Sequence, residues 1–116
     1  GQAINSLQIH HDGKVAIMHI TQEMMNQAGA TEEHSGGIIQ YAKDISGVEL
    51  AAVLREVDNS TIKVSLRSQS MIDVSALAQE FGGGGHIRAA GCTIKLPLVQ
   101  AQESLMKAID LYFEEQ

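Results

Sequence analysis

Residues 15 to 20, Val-Ala-Ile-Met-His-Ile, constrain the fold more than any other stretch of this chain. In a strand, successive side chains point to opposite faces, so Val15 and Ile17 line one face while Ala16, Met18 and Ile20 line the other. A strand that is apolar on both faces has to be covered on both sides, and helices are the usual cover. The 116 residues suffice for one such layered domain spanning residues 1–116, but not for two. Eight Lys and Arg against fourteen Asp and Glu leave a net charge of −6, which argues against a protein that wraps a duplex and leaves room only for small, local contact with nucleic acid. No apolar run approaches the ~20 residues of a membrane span. The first residues, Gly1 to Asn5, carry neither the basic nor the hydrophobic part of an export signal. The expectation is therefore a cytoplasmic domain with no membrane partner. A single cysteine, Cys92, excludes an intramolecular disulfide and a zinc ribbon.

Turn and cap signals divide the remainder. Asp12-Gly13 separates the β-leaning runs Ile4 to His11 and Lys14 to Ile20 and predicts a two-residue hairpin turn. Thr21 as N-cap and Gly29 as stop predict a short helix over 22–28, and a second is expected from about Ser35 to Asp44. Asp58-Asn59-Ser60 divides Val48 to Val57 from Thr61 to Arg67, a second hairpin. Val74, Leu77, Ala78 and Phe81 form one helical stripe between the cap Asp73 and the stop Gly82. Cys92 to Leu96 reads as a strand ended by Pro97, followed by a C-terminal helix carrying Leu98, Ala101, Leu105, Ala108, Ile109 and Tyr112. The expected fold is α/β in the broad sense: a mixed, largely antiparallel five-stranded sheet with about four packed helices.

Four consecutive glycines, Gly82 to Gly85, precede His86 between a helix end and an expected helix start. Such a run suits a backbone that must adopt positive φ or approach a ligand closely, and its N–H groups can converge on an anion. His86 at its mouth can donate to a phosphate oxygen; a flexible turn with a capping histidine is the alternative. Lys63, Ser65 and Arg67 share one face of their strand, a set of donors that also suits an ordinary solvated sheet face. His10, His11 and Asp12 include a carboxylate and two imidazoles, but strand neighbours point apart, so no shared ion is expected. His19 and His34 are single, partnerless candidates, and the aspartates fall in turns, caps and helix tails, so no metal site is expected. Cys92 reads as a small core residue.

Three segments, Lys63 to Ser68, Ile72 to Ser75 and Phe81 to Gly91 with its Gly-Gly-Gly-His and Ala-Ala-Gly ends, together resemble the DHH-associated C-terminal domain of DHH-type phosphoesterases, in particular the nanoRNase and pAp phosphatase branch. The resemblance implies a parent enzyme whose N-terminal DHH domain, absent from this sequence, holds divalent metal, manganese or magnesium, while the present domain grips the substrate. It places substrate contacts on Arg67, Gly83, Gly84, Gly85 and His86, with Ser65 and Arg88 as further contacts and His86 assisting catalysis at the phosphate. His10-His11-Asp12 is not the family's Asp-His-His signature, and no metal role passes to it. The implied function is binding of short oligoribonucleotides and adenosine 3′,5′-bisphosphate (pAp), with the chain inactive when alone and no cofactor of its own. The alternatives are the same domain from a cyclic dinucleotide phosphodiesterase, a freestanding single-stranded nucleic-acid-binding module, and an assembly role as a homodimer.

Overall fold

The computed structural model describes residues 2–29 and 33–115. In chain order the elements are α1 (Gln2–Asn5), β1 (Gln8–His10), β2 (Val15–Ile20), α2 (Gln22–Ala28), α3 (Glu33–Lys43), β3 (Leu50–Asp58), β4 (Thr61–Ser68), α4 (Val74–Gln79), β5 (Gly84–His86), β6 (Ala89–Ile94) and α5 (Leu98–Glu114). Among the described residues the strands form one sheet in the order β1-β2-β3-β4-β6-β5, antiparallel except for the parallel pair β2–β3. The fold is the expected mixed sheet with packed helices, with one more strand than expected.

β2 is buried along both faces, as its composition demands. Val15 and Ile17 enter a core shared with Leu54, Ile62, Val64 and Leu66 and closed by α4 and α5 through Leu77, Leu105 and Ile109. Ala16, Met18 and Ile20 enter a second core, with Ala51 and Val53, closed by α2 and α3 through Met24, Met25, Ile39 and Ala42. Both cores close within the chain itself. α3 packs on β2, β3 and β4, whereas the outer strands β5 and β6 take their helix, α4, on the opposite face. Among the described residues, the face of the outer strands β6 and β5 away from α4 is thereby left open, while α3 reaches as far as β4.

Local signals explain most boundaries. The Thr21 hydroxyl accepts from Met24 N–H at 3.0 Å, and Gly29, at φ 62°, closes α2 in the left-handed conformation. The Asp73 carboxylate accepts from the N–H groups of Ser75 and Ala76 at the start of α4. Two expectations are corrected. β1 is only three residues long, because the Ser6 hydroxyl takes the place of a strand neighbour: it accepts from His19 N–H at 2.9 Å and donates to Ala3 O at 2.6 Å, where α1 replaces the expected strand start. The link from β1 to β2 is four residues, 11–14, with His11, Asp12 and Gly13 all at positive φ, rather than a two-residue turn.

The glycine run is a third correction. Gly82, at φ 78°, and Gly83 donate to the last carbonyls of α4, at Gln79 and Ala78, and the chain then enters β5, which turns directly into β6. No helix begins at His86. β6 accordingly starts at Ala89 and ends at Ile94, rather than running from Cys92 to Leu96. Among the described residues, no helix is long and apolar enough to cross a membrane.

Candidate functional site

Residues directly opposite each other in an antiparallel ladder share a face. Arg67 is opposite Ala89, and Ala89 is opposite His86, so Arg67 and His86 stand in one row across β4, β6 and β5. The next row is Ser65, Gly91 and Gly84. Both rows lie on the face that α4 does not cover, since the alternate residues Val64, Leu66, Ala90 and Cys92 all enter the core beneath. Strand pairing therefore brings together on one surface four of the seven residues expected at the site, Ser65, Arg67, Gly84 and His86.

The small residues at Gly84, Ala89 and Gly91 keep the middle of this surface low, and Ser65 and Arg67 at its inner side are half-buried while His86 at the sheet edge is exposed. A depression of about 280 Å³ continues the surface toward β3, lined by Arg55, Lys63, Ser65, Gly91 and Thr93. The Arg67 guanidinium donates through Nη1 to Leu66 O at 2.9 Å, which leaves most of its five N–H donors for a ligand. A guanidinium, a hydroxyl and an imidazole on one open face make a set suited to phosphate oxygens.

The remaining glycines act differently. A Cβ on Gly83 would stand 2.1 Å from Gly91 O and 2.6 Å from Cys92 Cβ, and one on Gly85, at φ 144°, 2.7 Å from Ala89 O. These two positions lack side chains because β5 lies against its own neighbour β6. Gly84 has nothing within 4 Å of its would-be Cβ. Arg88 is turned toward the base of α4: Nη1 donates to Ile72 O at 2.9 Å, the carbonyl that also accepts from the buried Ser68 hydroxyl at 2.6 Å.

The other singled-out residues lie elsewhere. His11 Nε2 is 2.7 Å from Asp110 Oδ1, and its ring stacks on Phe113 with centroids 4.4 Å apart. His10 pairs with Gln8, and the side chain of His34 lies outside the described residues. His19 lines a separate groove of about 370 Å³ with Gln8, Leu98, Val99, Gln102 and Met106. Among the described residues no three His, Cys, Asp or Glu side chains come together to hold a metal ion. Burial pushes the Cys92 thiol up to about 11, so it stays protonated and inert. Arg55 and Thr93 were missed by sequence reasoning. Thr93 is visible as a polar residue between the apolar Cys92 and Ile94, and Arg55 only as the first charge after the apolar run Leu50 to Leu54; the strand register alone sets them beside Lys63.

Comparison with known proteins bears on the family of the chain. The DHHA1 domain model matches residues 12–115. The chain is 33% identical over 112 residues to the bifunctional oligoribonuclease and PAP phosphatase NrnA of Thermus thermophilus, covering 94% of this chain and 32% of that protein. It is 30% identical over 117 residues to the cyclic-di-AMP phosphodiesterase PdeA of Listeria monocytogenes, covering 96% of this chain and 16% of that protein. The crystal structure of an exopolyphosphatase-related protein from Bacteroides fragilis superposes with a TM-score of 0.87 at 28% identity, over 96% of this chain and 33% of that one. The chain thus spans a third or less of the length of these relatives.

Proposed function

The chain belongs to the DHHA1 domain family, and from that membership we propose that it is the substrate-binding domain of a metal-dependent phosphoesterase acting on short oligoribonucleotides and pAp. The observation that carries the reading is the row Arg67–Ala89–His86, which sets a guanidinium and an imidazole on one open sheet face with the Ser65 hydroxyl in the adjoining row. Arg67 grips two phosphate oxygens in the manner of a fork, Ser65 donates a third hydrogen bond, and His86 donates from the edge and assists the reacting phosphate. Gly84 supplies a floor without a side chain, while Gly83 and Gly85 let β5 lie close enough to β6 to hold His86 in the row. Arg88 contributes least directly, since its Nη1 is engaged by Ile72 O.

The residues described do not fit a metal centre. In this reading manganese or magnesium belongs to a separate DHH domain, and the present chain binds and orients. Charge-assisted hydrogen bonds of ~1.5–3 kcal/mol each, set against at least ~4 kcal/mol of association cost, leave two or three contacts with roughly millimolar affinity. The chain alone is then catalytically silent, and its setting is the cytoplasm.

An amide chemical-shift titration of the chain with pAp and with a ribodinucleotide tests this. Shifts at residues 65–67 and 83–88, abolished by Arg67→Ala without loss of fold, are expected; shifts confined to other regions overturn the reading. The likeness to a cyclic-di-AMP phosphodiesterase favours a second reading, a cyclic dinucleotide as ligand. Tighter binding of cyclic-di-AMP than of pAp at the same amides would select it. A freestanding single-strand module has less support, because Phe81, Tyr112 and Phe113 pack against the core on the far face rather than offering stacking platforms.

A further inference from the structure

β5 has little of its own with which to fix His86. It is a three-residue edge strand, two of its residues are glycine, and His86 itself is exposed. The two turn residues that follow are instead held from outside the hairpin. Val74 N–H donates to Ile87 O at 2.9 Å. Ser68 N–H donates to Arg88 O at 3.0 Å, which carries the β4–β6 ladder one step past its last pair, Arg67 with Ala89. The Ser68 hydroxyl belongs to the same junction: it donates to Ile72 O at 2.6 Å and stands 3.5 Å from Ile87 O, while Arg88 Nη1 also donates to Ile72 O, at 2.9 Å.

Ser68, at 2% exposure, is the one buried polar side chain among the described residues. Burying a hydroxyl carries a desolvation cost that alanine in the same place would not, so packing alone does not account for it. Ser68 directly follows Arg67 in β4, and successive strand residues face opposite ways, so Arg67 lies on the open face and Ser68 on the covered one. Its N–H and Oγ reach both residues that follow His86. We infer that Ser68 is a positioning residue, which ties Arg67 to His86 and sets the imidazole in the row where a phosphate is gripped. The inference rests on the proposed function and deepens it. Ser68 acts through the turn rather than on the ligand: its hydroxyl fixes the Ile72 carbonyl on one lone pair, that carbonyl takes Arg88 on the other, and Arg88 closes the turn after His86. Without the hydroxyl His86 drifts from the row, whereas Arg67, on a strand paired on both sides by β3 and β6, stays in place.

The test is an amide-shift titration of the 116-residue chain with pAp, with urea midpoints measured alongside, on wild type, Ser68→Ala, Ser68→Thr and Arg88→Gln. Ser68→Ala is expected to stay folded and to keep the pAp response at 65–67. It should lose most of the response at 86 and weaken pAp by about fivefold, the worth of roughly one hydrogen bond. Ser68→Thr, which keeps the hydroxyl, should restore the response at 86. Arg88→Gln removes the other donor to Ile72 O at a half-buried position and should weaken the response at 86 in the same sense, which keeps the inference open to test if a Ser68 variant does not fold. If Ser68→Ala, or Arg88→Gln in its stead, lowers the urea midpoint but leaves the pAp affinity and the response at 86 as in wild type, the residue is only structural and the inference is overturned, with the proposed function standing. Equal loss at 65–67 and 86 in a folded variant overturns it too, since the effect is then on the whole face. If pAp fails to shift 65–67 and 86 in the wild type, the proposed function falls and the inference with it.

Discussion

Two neighbouring glycines make opposite demands on the chain, and the difference is measurable. Gly83→Ala forces a methyl to 2.1 Å from Gly91 O, where both sides are backbone; the expected loss is about 3 kcal/mol in chemical denaturation. Gly84→Ala meets nothing within 4 Å, so its stability should stay within about 1 kcal/mol of wild type. Its methyl nonetheless enters the row of Ser65 and Gly91, and pAp binding should fall. Asp73 gives a pH dependence. Its carboxylate is held below the ordinary 3.8, first by the Ser75 hydroxyl and next by Ala76 N–H. A folded value below the unfolded one means that the contribution is complete above the unfolded value and is lost as pH falls through the folded one. Asp73→Asn should therefore narrow the gap between urea midpoints measured at neutral pH and below 3.8. At Cys92, with its thiol pushed up to about 11, alkylation of the folded chain at pH 8 should be undetectable and should appear only on unfolding. The glycine run shows where residue-level reading stops. Four glycines announce a backbone that needs room, but whether the occupant of that room is a ligand or the chain's own β6 depends on pairing that no local pattern encodes.

At the scale of elements, the turn at 87–88 is bolted to two others. Val74 N–H donates to Ile87 O at 2.9 Å, Ser68 N–H donates to Arg88 O at 3.0 Å, and the Arg88 guanidinium and Ser68 hydroxyl meet at Ile72 O. The β5–β6 turn, the end of β4 and the start of α4 thus move as one piece, and His86 is held in the Arg67 row by that piece. Arg88→Ala is expected to raise hydrogen exchange at residues 69–74 and 86–89, whereas Arg67→Ala should leave both segments as protected as in wild type. The elements legible beforehand were those with chemistry at both ends: α2 between Thr21 and Gly29, α4 after Asp73, and the β3–β4 hairpin around Asn59-Ser60. β5 was not, because two glycines and a histidine carry little strand preference and only the neighbouring β6 makes them a strand. Lys63, Ser65 and Arg67 could be set on one face from alternation alone. The addition of His86, Arg55 and Thr93 to that face needed the register of three further strands.

The whole molecule is a sheet with one half sandwiched between helices and the other half open on one side. Leu105, fully buried where α5 closes one core, and Met18, fully buried in the other, should each cost about 2–5 kcal/mol when changed to Ala, without the ligand face being touched. The covered half was legible from residues 15 to 20, whose two apolar faces require two layers. The open half was not, since the same alternation of polar and apolar residues describes any solvated sheet.

The parallel pair β2–β3 has one more consequence. Val15 is matched with Leu50 across the crossover through α2 and α3, whereas β3 and β4 meet through a tight turn. During synthesis the most apolar strand emerges from the ribosome well before residue 50, the first position that can pair with it on that side. Until then it is a greasy nascent segment with a vacant edge, expected to need a chaperone or fast collapse against α2 to stay out of aggregates.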